Sequence, residues 1–170
     1  NMLNENVEKA LNTQINAELY SEYLYLSMYA YFKNANLNGF ANWLLVQVQE
    51  ERAHAMGMID YVLRRGGKVK LETIDKHQTE WSCPLDVFKT GLVHEQLVTS
   101  KINELAKIAQ DDNDRATSIF LNWYINEQVE EEESFSDILH QLEMIQDTPA
   151  ALLVLDKELM TRQFVAPVIK

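Results

Sequence analysis

Residues 126–135 read NEQVEEEESF, and five of these ten residues are glutamates in what the flanking residues mark as the middle of a long helix. Residues seven apart on a helix lie on nearly the same face. Tyr124, Glu131 and Ile138 therefore share one stripe, with Gln128 one turn before Glu131. A charge run on a solvated face needs no explanation, but a glutamate between a tyrosine and an isoleucine does. Glu132 and Glu133 turn the other way and read as a solvated or subunit-contact face.

The same test gives the same answer three more times along the chain. Glu18 shares its stripe with Leu11, Tyr25 and Phe32; Glu51 lies with Leu44, Val48 and Met58; Glu95 falls between Phe88 and Ile102. Taken singly, each glutamate is as easily a solvated residue. Four helices each placing one on an apolar face is a poor coincidence. Glu51 also heads Glu51-Arg52-Ala53-His54, and an i, i+3 pair projects from one side of a helix, so His54 points inward beside Glu51. Burying an unpaired carboxylate costs several kcal/mol, and few lysines or arginines occupy inward positions. Cations from outside are the economical explanation. An oxygen-rich set with one imidazole suits iron or manganese better than structural zinc, and the pattern implies two metal ions bridged by Glu51.

The rest of the chain supports helices. Only five glycines and three prolines interrupt 170 residues that are 46% hydrophobic, and the apolar residues recur at helical spacing. The reading is all-α, one compact domain over residues 1–170, with a bundle over about 4–146 and a short C-terminal helix over about 149–162. The first helix runs from an Asn4 N-cap to Lys33, the second from Phe40 to Arg65, the third from Leu85 to Gln110 and the fourth from Arg115 to Gln146. Thr148 caps the fifth, with Pro149 at its first helical position. The linkers before the second and fourth helices are short and force antiparallel neighbours. The stretch between the second and third, GGKVKLETIDKHQTEWSCP, is long enough to return along the whole bundle. A four-helix bundle with one long crossover between its second and third helices follows.

The net charge of −11 argues against nucleic acid and against anionic membranes, which attract basic surfaces. The segment NMLNENVEKALN lacks a basic stretch followed by an apolar run, so no signal peptide or membrane anchor is expected. Cys83 is the single cysteine and reads as an ordinary loop residue; its solitude points to a reducing cytoplasm.

With these residues in hand, the sequence resembles the non-haem ferritins of bacteria and archaea over nearly its whole length. The pieces that carry the resemblance are QINAELYSEYLYLSMYAYF, NWLLVQVQEERAHAM, VHEQLVTSKINELA, FLNWYINEQVEEEESF and LLVLDKELMTRQ. The resemblance implies a ferritin-like fold and a hollow shell of 24 subunits. Its bundle centres would oxidise Fe(II) with O2 or H2O2, and its cavity would store ferric oxyhydroxide. It implies that Glu18, Glu51 and His54 hold a first iron, with Glu51 bridging, and that Glu95 and Glu131 complete a second, near Gln128. Tyr25 and Trp123 would stand close to the centre, Tyr25 as a redox or hydrogen-bonding residue and Trp123 as packing. A third iron position would use Glu50, Glu127, Glu130 and Glu131. Bacterioferritins carry a haem-binding methionine between the corresponding glutamate and histidine, where this chain has Arg52, so no haem is expected. A second Glu-x-x-His is absent from the fourth helix, which has Gln128-Val129-Glu130-Glu131. His77, His94 and His140 match no ligand position and read as surface or contact residues. Asp111, Asp112 and Asp114 read equally as an iron entrance or a solvated turn.

Overall fold

The structure is a computed structural model that describes residues 2–170; Asn1 lies outside the described residues. Its helices are α1 (Glu5–Asn34), α2 (Asn38–Arg64), α3 (Pro84–Asp111), α4 (Arg115–Ile145) and α5 (Pro149–Leu159). Local chemistry explains their limits. The Asn4 side chain accepts from the Asn6 amide at 2.8 Å and starts α1. Asn36 and Asn113 adopt left-handed conformations (φ 57° and 56°) in the two tight turns, which asparagine tolerates better than most residues. At the start of α4, Asp114 accepts from the Thr117 amide at 3.0 Å and pairs with Arg65 at 3.1 Å. That pair ties the end of α2 to the beginning of α4. Of the two readings of the acidic turn, the structure therefore makes Asp114 a helix cap, while Asp111 pairs with Lys107 at 2.6 Å.

α1 packs along α2, α3 along α4, and α1 along α3. α2 and α4 nowhere bring Cα atoms within 8 Å of each other. Across this wider seam they meet through side chains, as where Tyr61 meets Thr117 at 2.9 Å and Tyr124 donates to the His54 carbonyl at 2.7 Å. The crossover takes the long route the sequence requires, running along α1. Asn12 bonds both Lys68 O (2.9 Å) and Lys70 N (2.7 Å), Asn16 reaches the Glu72 and Thr73 carbonyls, and Ser27 donates to Gln78 O at 2.9 Å. Trp81 then donates to Thr90 at 3.1 Å and fastens the crossover to α3.

The interior consists of two apolar clusters. One contains Tyr25, Phe32, Phe40, Trp43, Phe88 and Phe135, beside the α5 end; the other contains Leu11, Ile15, Met58, Ile102, Phe120 and Tyr124. Each large buried side chain contributes roughly 1.5–3 kcal/mol of transfer free energy. Leu24 and Met28 belong to the first cluster and are buried.

The fifth helix ends at Leu159, three residues before the expected limit of 162. Asn42 explains the early stop, because its side-chain amide donates to the carbonyls of Leu159 (3.2 Å), Met160 (3.2 Å) and Arg162 (3.0 Å) and draws the chain out of the helix. Beyond it the chain runs extended along α2, half-buried at Arg162, Phe164, Pro167 and Ile169 and exposed between them, until Ile169 packs at Gly57. α5 itself sits against the start of α2, where Phe40 N donates to Asp156 Oδ1 at 2.9 Å and Gly39 touches the Asp156 backbone. A methyl group at Gly39 would overlap the Asp156 carbonyl, and a backbone carbonyl cannot rotate aside as a side chain does. Gly39→Ala should destabilise the chain by about 2 kcal/mol, read as a fall of roughly 4–8 °C in melting temperature for a chain of this size; an unchanged melting temperature would show that α5 is not held at this point.

Candidate metal centre

Between the two apolar clusters lies a polar layer. Glu18 from α1, Glu51 and His54 from α2, Glu95 from α3 and Glu131 from α4 meet there, each no more than 3% exposed. Three groups of potential ligand atoms lie within 4.8 Å of one another: Glu18, Glu51 and His54; Glu51, Glu95 and Glu131; and His54, Glu127 and Glu131. Glu51 belongs to the first two groups and so stands between them. Among the described residues, no lysine or arginine pairs with Glu18, Glu51, Glu95 or Glu131.

Neutral donors hold these carboxylates in place. Gln14 donates to Glu18 at 3.2 Å. The wholly buried Gln47 donates to Glu51 at 3.0 Å and to Glu131 at 2.6 Å, joining α2 to α4. Tyr25 donates to one oxygen of Glu95, and Gln128 donates to the other at 3.2 Å. Gln128 is itself within 3.1 Å of the Thr99 hydroxyl. His54 Nδ1 lies 3.2 Å from Glu51 and 3.9 Å from Glu18, while its Nε2 lies 3.8 Å from Glu127. At Gly57 the absent side chain leaves room for the Tyr124 hydroxyl to reach the His54 carbonyl, which a β-carbon would crowd. Trp123 packs against the His54 ring at 5.4 Å between centroids. One buried atom of the centre, Glu18 Oε2, has no hydrogen-bond partner, and it faces the His54–Glu51 group.

The electrostatics follow from this crowding. Burial, reinforced by Glu95, Glu18 and Glu131, pushes the Glu51 carboxyl well above its ordinary value. Burial and the neighbouring Glu95 and Glu50 do the same to Glu131. Burial raises Glu95 to about 7 even though the Tyr25 and Gln128 hydrogen bonds pull it down. Burial also holds the His54 imidazole below its usual value, against the pull of Glu18 and Glu50. The protein alone therefore favours protons on carboxylates that a cation would strip.

The outer carboxylates are less uniform than the sequence suggests. Glu127, raised to about 7 by partial burial and by Glu130 and Glu50, faces His54 and Glu131. Glu130 is exposed, and Glu50 is engaged by Arg162 at 3.1 Å. Two other expectations are corrected. Glu132 is not simply solvated, since Thr99 donates to it at 2.7 Å. His94 is half-buried against Tyr20 and Tyr25 and lies 2.7 Å from the Ser21 hydroxyl, while burial lowers its pKa to about 4. Arg52 leans outward to Glu22 at 3.0 Å.

Sequence reasoning missed Gln14, Gln47 and Arg162. The two glutamines carried a signal: each lies four residues before an inward glutamate, on the same face of its helix. Arg162 carried none, being 112 residues from Glu50 on a segment expected to be helical.

Comparison with known proteins agrees with the bundle. The Ferritin-like domain family matches residues 8–145. The chain belongs to the ferritin family. It is 40% identical over 163 residues to a bacterial non-heme ferritin of Staphylococcus haemolyticus, covering 96% of this chain and 98% of that one. It is also 40% identical over 161 residues to a bacterial non-heme ferritin of Bacteroides fragilis, covering 95% of this chain and all of that one. Among solved structures, an engineered closed form of the Archaeoglobus fulgidus ferritin superposes with a TM-score of 0.95 at 52% identity, covering 96% and 99% of the two chains. The open-pore ferritin of the same archaeon gives 0.93 at 51% identity, covering 95% and 99%. Iron storage is the role that this ferritin identity carries.

The pKa directions set the pH dependence of the metal-free protein. Raised carboxyls let the folded chain hold protons that the unfolded chain has released, so stability falls as pH rises through their folded values. The depressed His54 and His94 act oppositely, but only below about pH 6.5, where an unfolded histidine takes up its proton. Between roughly pH 6.5 and 8 the carboxyls act alone, and the metal-free melting temperature should fall. Glu131→Gln should flatten that slope and raise the metal-free melting temperature near pH 8 by about 3 °C, roughly 1 kcal/mol, because the new amide keeps an acceptor for Gln47 and turns a donor toward Glu95 and Glu51. Melting both proteins across this range checks it, and identical slopes would place Glu131 outside the coupled cluster.

Proposed function

We propose that this ferritin oxidises Fe(II) at the polar layer of each subunit and stores the product as ferric oxyhydroxide inside a closed shell of 24 copies. Four buried carboxylates and an imidazole, with the orphaned Glu18 Oε2 and, among the described residues, no lysine or arginine paired with those four carboxylates, carry the reading. A metal ion supplies what that oxygen lacks and removes the repulsion among the others.

Glu18, Glu51 and His54 receive one Fe(II), and Glu95 and Glu131 receive the second, with Glu51 shared. Gln128 and Tyr25 fix the Glu95 carboxylate so that its free lone pairs face the ion, and Gln47 sets the spacing between Glu51 and Glu131. Hard anionic oxygens favour Fe(III) over Fe(II), so binding both ions here prepares them for oxidation. Each Fe(II) gives up one electron. Two electrons and two protons convert O2 to H2O2, or H2O2 to two waters, and the iron leaves as Fe(III). Glu127 and Glu130, with Glu50 and Glu131, form the third iron position on the way to the cavity, and the net negative charge of the chain helps concentrate the cation.

Assembly is supported from the outer surface. Val93 and Leu97, one turn apart on α3, and the adjacent Leu153 and Val154 on α5 are more than half exposed, apolar pairs that the bundle alone does not bury. The relatives of known structure are ferritins described as closed and open-pore forms, terms that describe shells.

Anaerobic Fe(II) loading followed by air tests the chemistry. Storage continues past two irons per subunit with further additions, whereas an oxygenase would stop at two and an inert shell subunit would oxidise none; Glu51→Gln should slow the first oxidation by at least about tenfold, the loss of roughly 1.4 kcal/mol of barrier stabilisation. Light scattering should give the mass of 24 chains of 19.7 kDa, and a monomer or dimer at micromolar concentration would refute the shell.

A further inference from the structure

Beyond the end of α5, Arg162 reaches back to α2 and makes four contacts with it. Its Nη1 donates to the Trp43 carbonyl at 3.0 Å, and its guanidinium lies 4.1 Å over the Trp43 ring. Its Nη2 donates to Gln47 Oε1 at 3.0 Å and to Glu50 Oε2 at 3.1 Å. Gln47 and Glu50 belong to different parts of the machinery. Gln47 is buried and bonds the inner carboxylates Glu51 and Glu131; Glu50 belongs to the outer group with Glu127 and Glu130.

We propose that Arg162 is a positioning residue that turns the Gln47 amide toward Glu51 and Glu131 and at the same time holds Glu50, so that a metal ion gains the outer position only by displacing it. The inference rests on the outer-position reading given above. An amide has one acceptor and one donor end. With Oε1 fixed by a cation, the NH2 group must face the two carboxylates; the reversed amide would aim an oxygen at both of them and another donor at Arg162. Arginine suits this role because its planar fork serves two acceptors while its face stacks on an aromatic ring, whereas lysine is a point charge on a flexible stem with no fixed fork to hold both at once. The early end of α5 makes the contact possible, because Asn42 holds the Leu159, Met160 and Arg162 carbonyls and delivers the side chain at this depth. Among the described residues, Arg162 is the one arginine or lysine paired with a carboxylate of the inner or outer group. A metal ion arriving at Glu50 competes with that charge, and its success frees the acceptor end of Gln47. Filling the outer position is thereby coupled to the geometry of the inner pair.

The test is anaerobic Co(II) titration of the assembled protein, following the visible absorption bands of the bound ions, with circular dichroism and light scattering to verify folding and assembly. Wild type, Arg162→Gln, Arg162→Lys, Glu50→Gln and the Glu50→Gln/Arg162→Gln double variant are compared. Arg162→Gln should strengthen the third Co(II) by about fivefold, the scale of a partly exposed ion pair, and should change nothing at that site when Glu50 is already glutamine. Arg162→Lys keeps the charge and should leave the third affinity near wild type, yet shift the bands of the first two ions because Gln47 is no longer pinned. Equal third-site affinities in wild type and Arg162→Gln, or an equal gain with and without Glu50, would overturn the competition. Unshifted bands in both arginine variants would overturn the orienting role. A wild-type protein that takes up no pair of Co(II) ions sensitive to Glu51→Gln would instead remove the centre itself, an outcome visible before any Arg162 variant is compared.

Discussion

The repulsion among four carboxylates in a dry interior organises this molecule. Glu18, Glu51, Glu95 and Glu131 come from four different helices, and like charges at close range in a low dielectric repel far more strongly than at a surface. Apolar packing must therefore bring the helices together on either side of a layer that resists it. The two clusters do this, one rich in aromatic rings near α5 and the other of aliphatic residues with Tyr61, Phe120 and Tyr124. They clamp the bundle above and below the centre. The layer between them is held by amide and hydroxyl donors and the His54 imidazole, which position the carboxylates without, among the described residues, a lysine or arginine to neutralise them. Such an interior is poised to take a cation, because binding removes repulsion that folding alone leaves in place.

The helix arrangement divides this task. α1 with α2 and α3 with α4 are closely packed pairs, and α1 also packs on α3. The α2–α4 seam is wider, and side chains fill it: Gln47 to Glu131, Tyr61 to Thr117, and the Tyr124 hydroxyl to the His54 carbonyl. Two of these contacts touch the centre directly. The position of Glu51 relative to Glu131 thus depends on side chains rather than on backbone contact. Polar bridges of this kind can lengthen or exchange partners at modest cost, which suits the proposed site, where iron would be admitted and released instead of kept.

Much of this was legible in the sequence for one reason, that α-helical periodicity converts spacing into direction. The stripe Leu11–Glu18–Tyr25–Phe32 gave both a core face and an inward carboxylate, and all four helices repeated the pattern. The long crossover was legible from length alone. The limits of reading were equally physical. The end of α5 was misplaced because LMTRQ has adequate helix formers, and what stops it is Asn42, more than a hundred residues earlier in the chain. Arg162 and its contacts were invisible for the same reason. Gln47 was readable in principle, one turn before Glu51, but an amide on an apolar stripe attracts less notice than a charge.

The two proposed inner positions are chemically unequal, and the inequality bears on how iron moves. The position at Glu18, Glu51 and His54 includes an imidazole whose pKa burial depresses, so the ring is neutral and ready to donate at neutral pH. It also includes the one buried oxygen of the centre, Glu18 Oε2, that lacks a hydrogen-bond partner among the described residues, although Glu51 there already accepts from Gln47 and meets His54 Nδ1 at 3.2 Å. The position at Glu95 and Glu131 has carboxylates alone, and three of their four oxygens already accept hydrogen bonds, from Tyr25, Gln128 and Gln47. An ion binding there must share those lone pairs or displace the donors. Without an imidazole or an unpartnered oxygen, the second position is the less prepared of the two proposed ones, and it is also the side on which Glu131 joins Glu127 and, through Gln47 and Arg162, Glu50. An all-carboxylate position gains most when the ion becomes trivalent, yet its ligands are the ones shared with the outer group. On the proposed function, oxidised iron has oxygen donors leading outward through Glu131 to Glu127, the carboxylate that also lies 3.8 Å from His54 and so adjoins both positions.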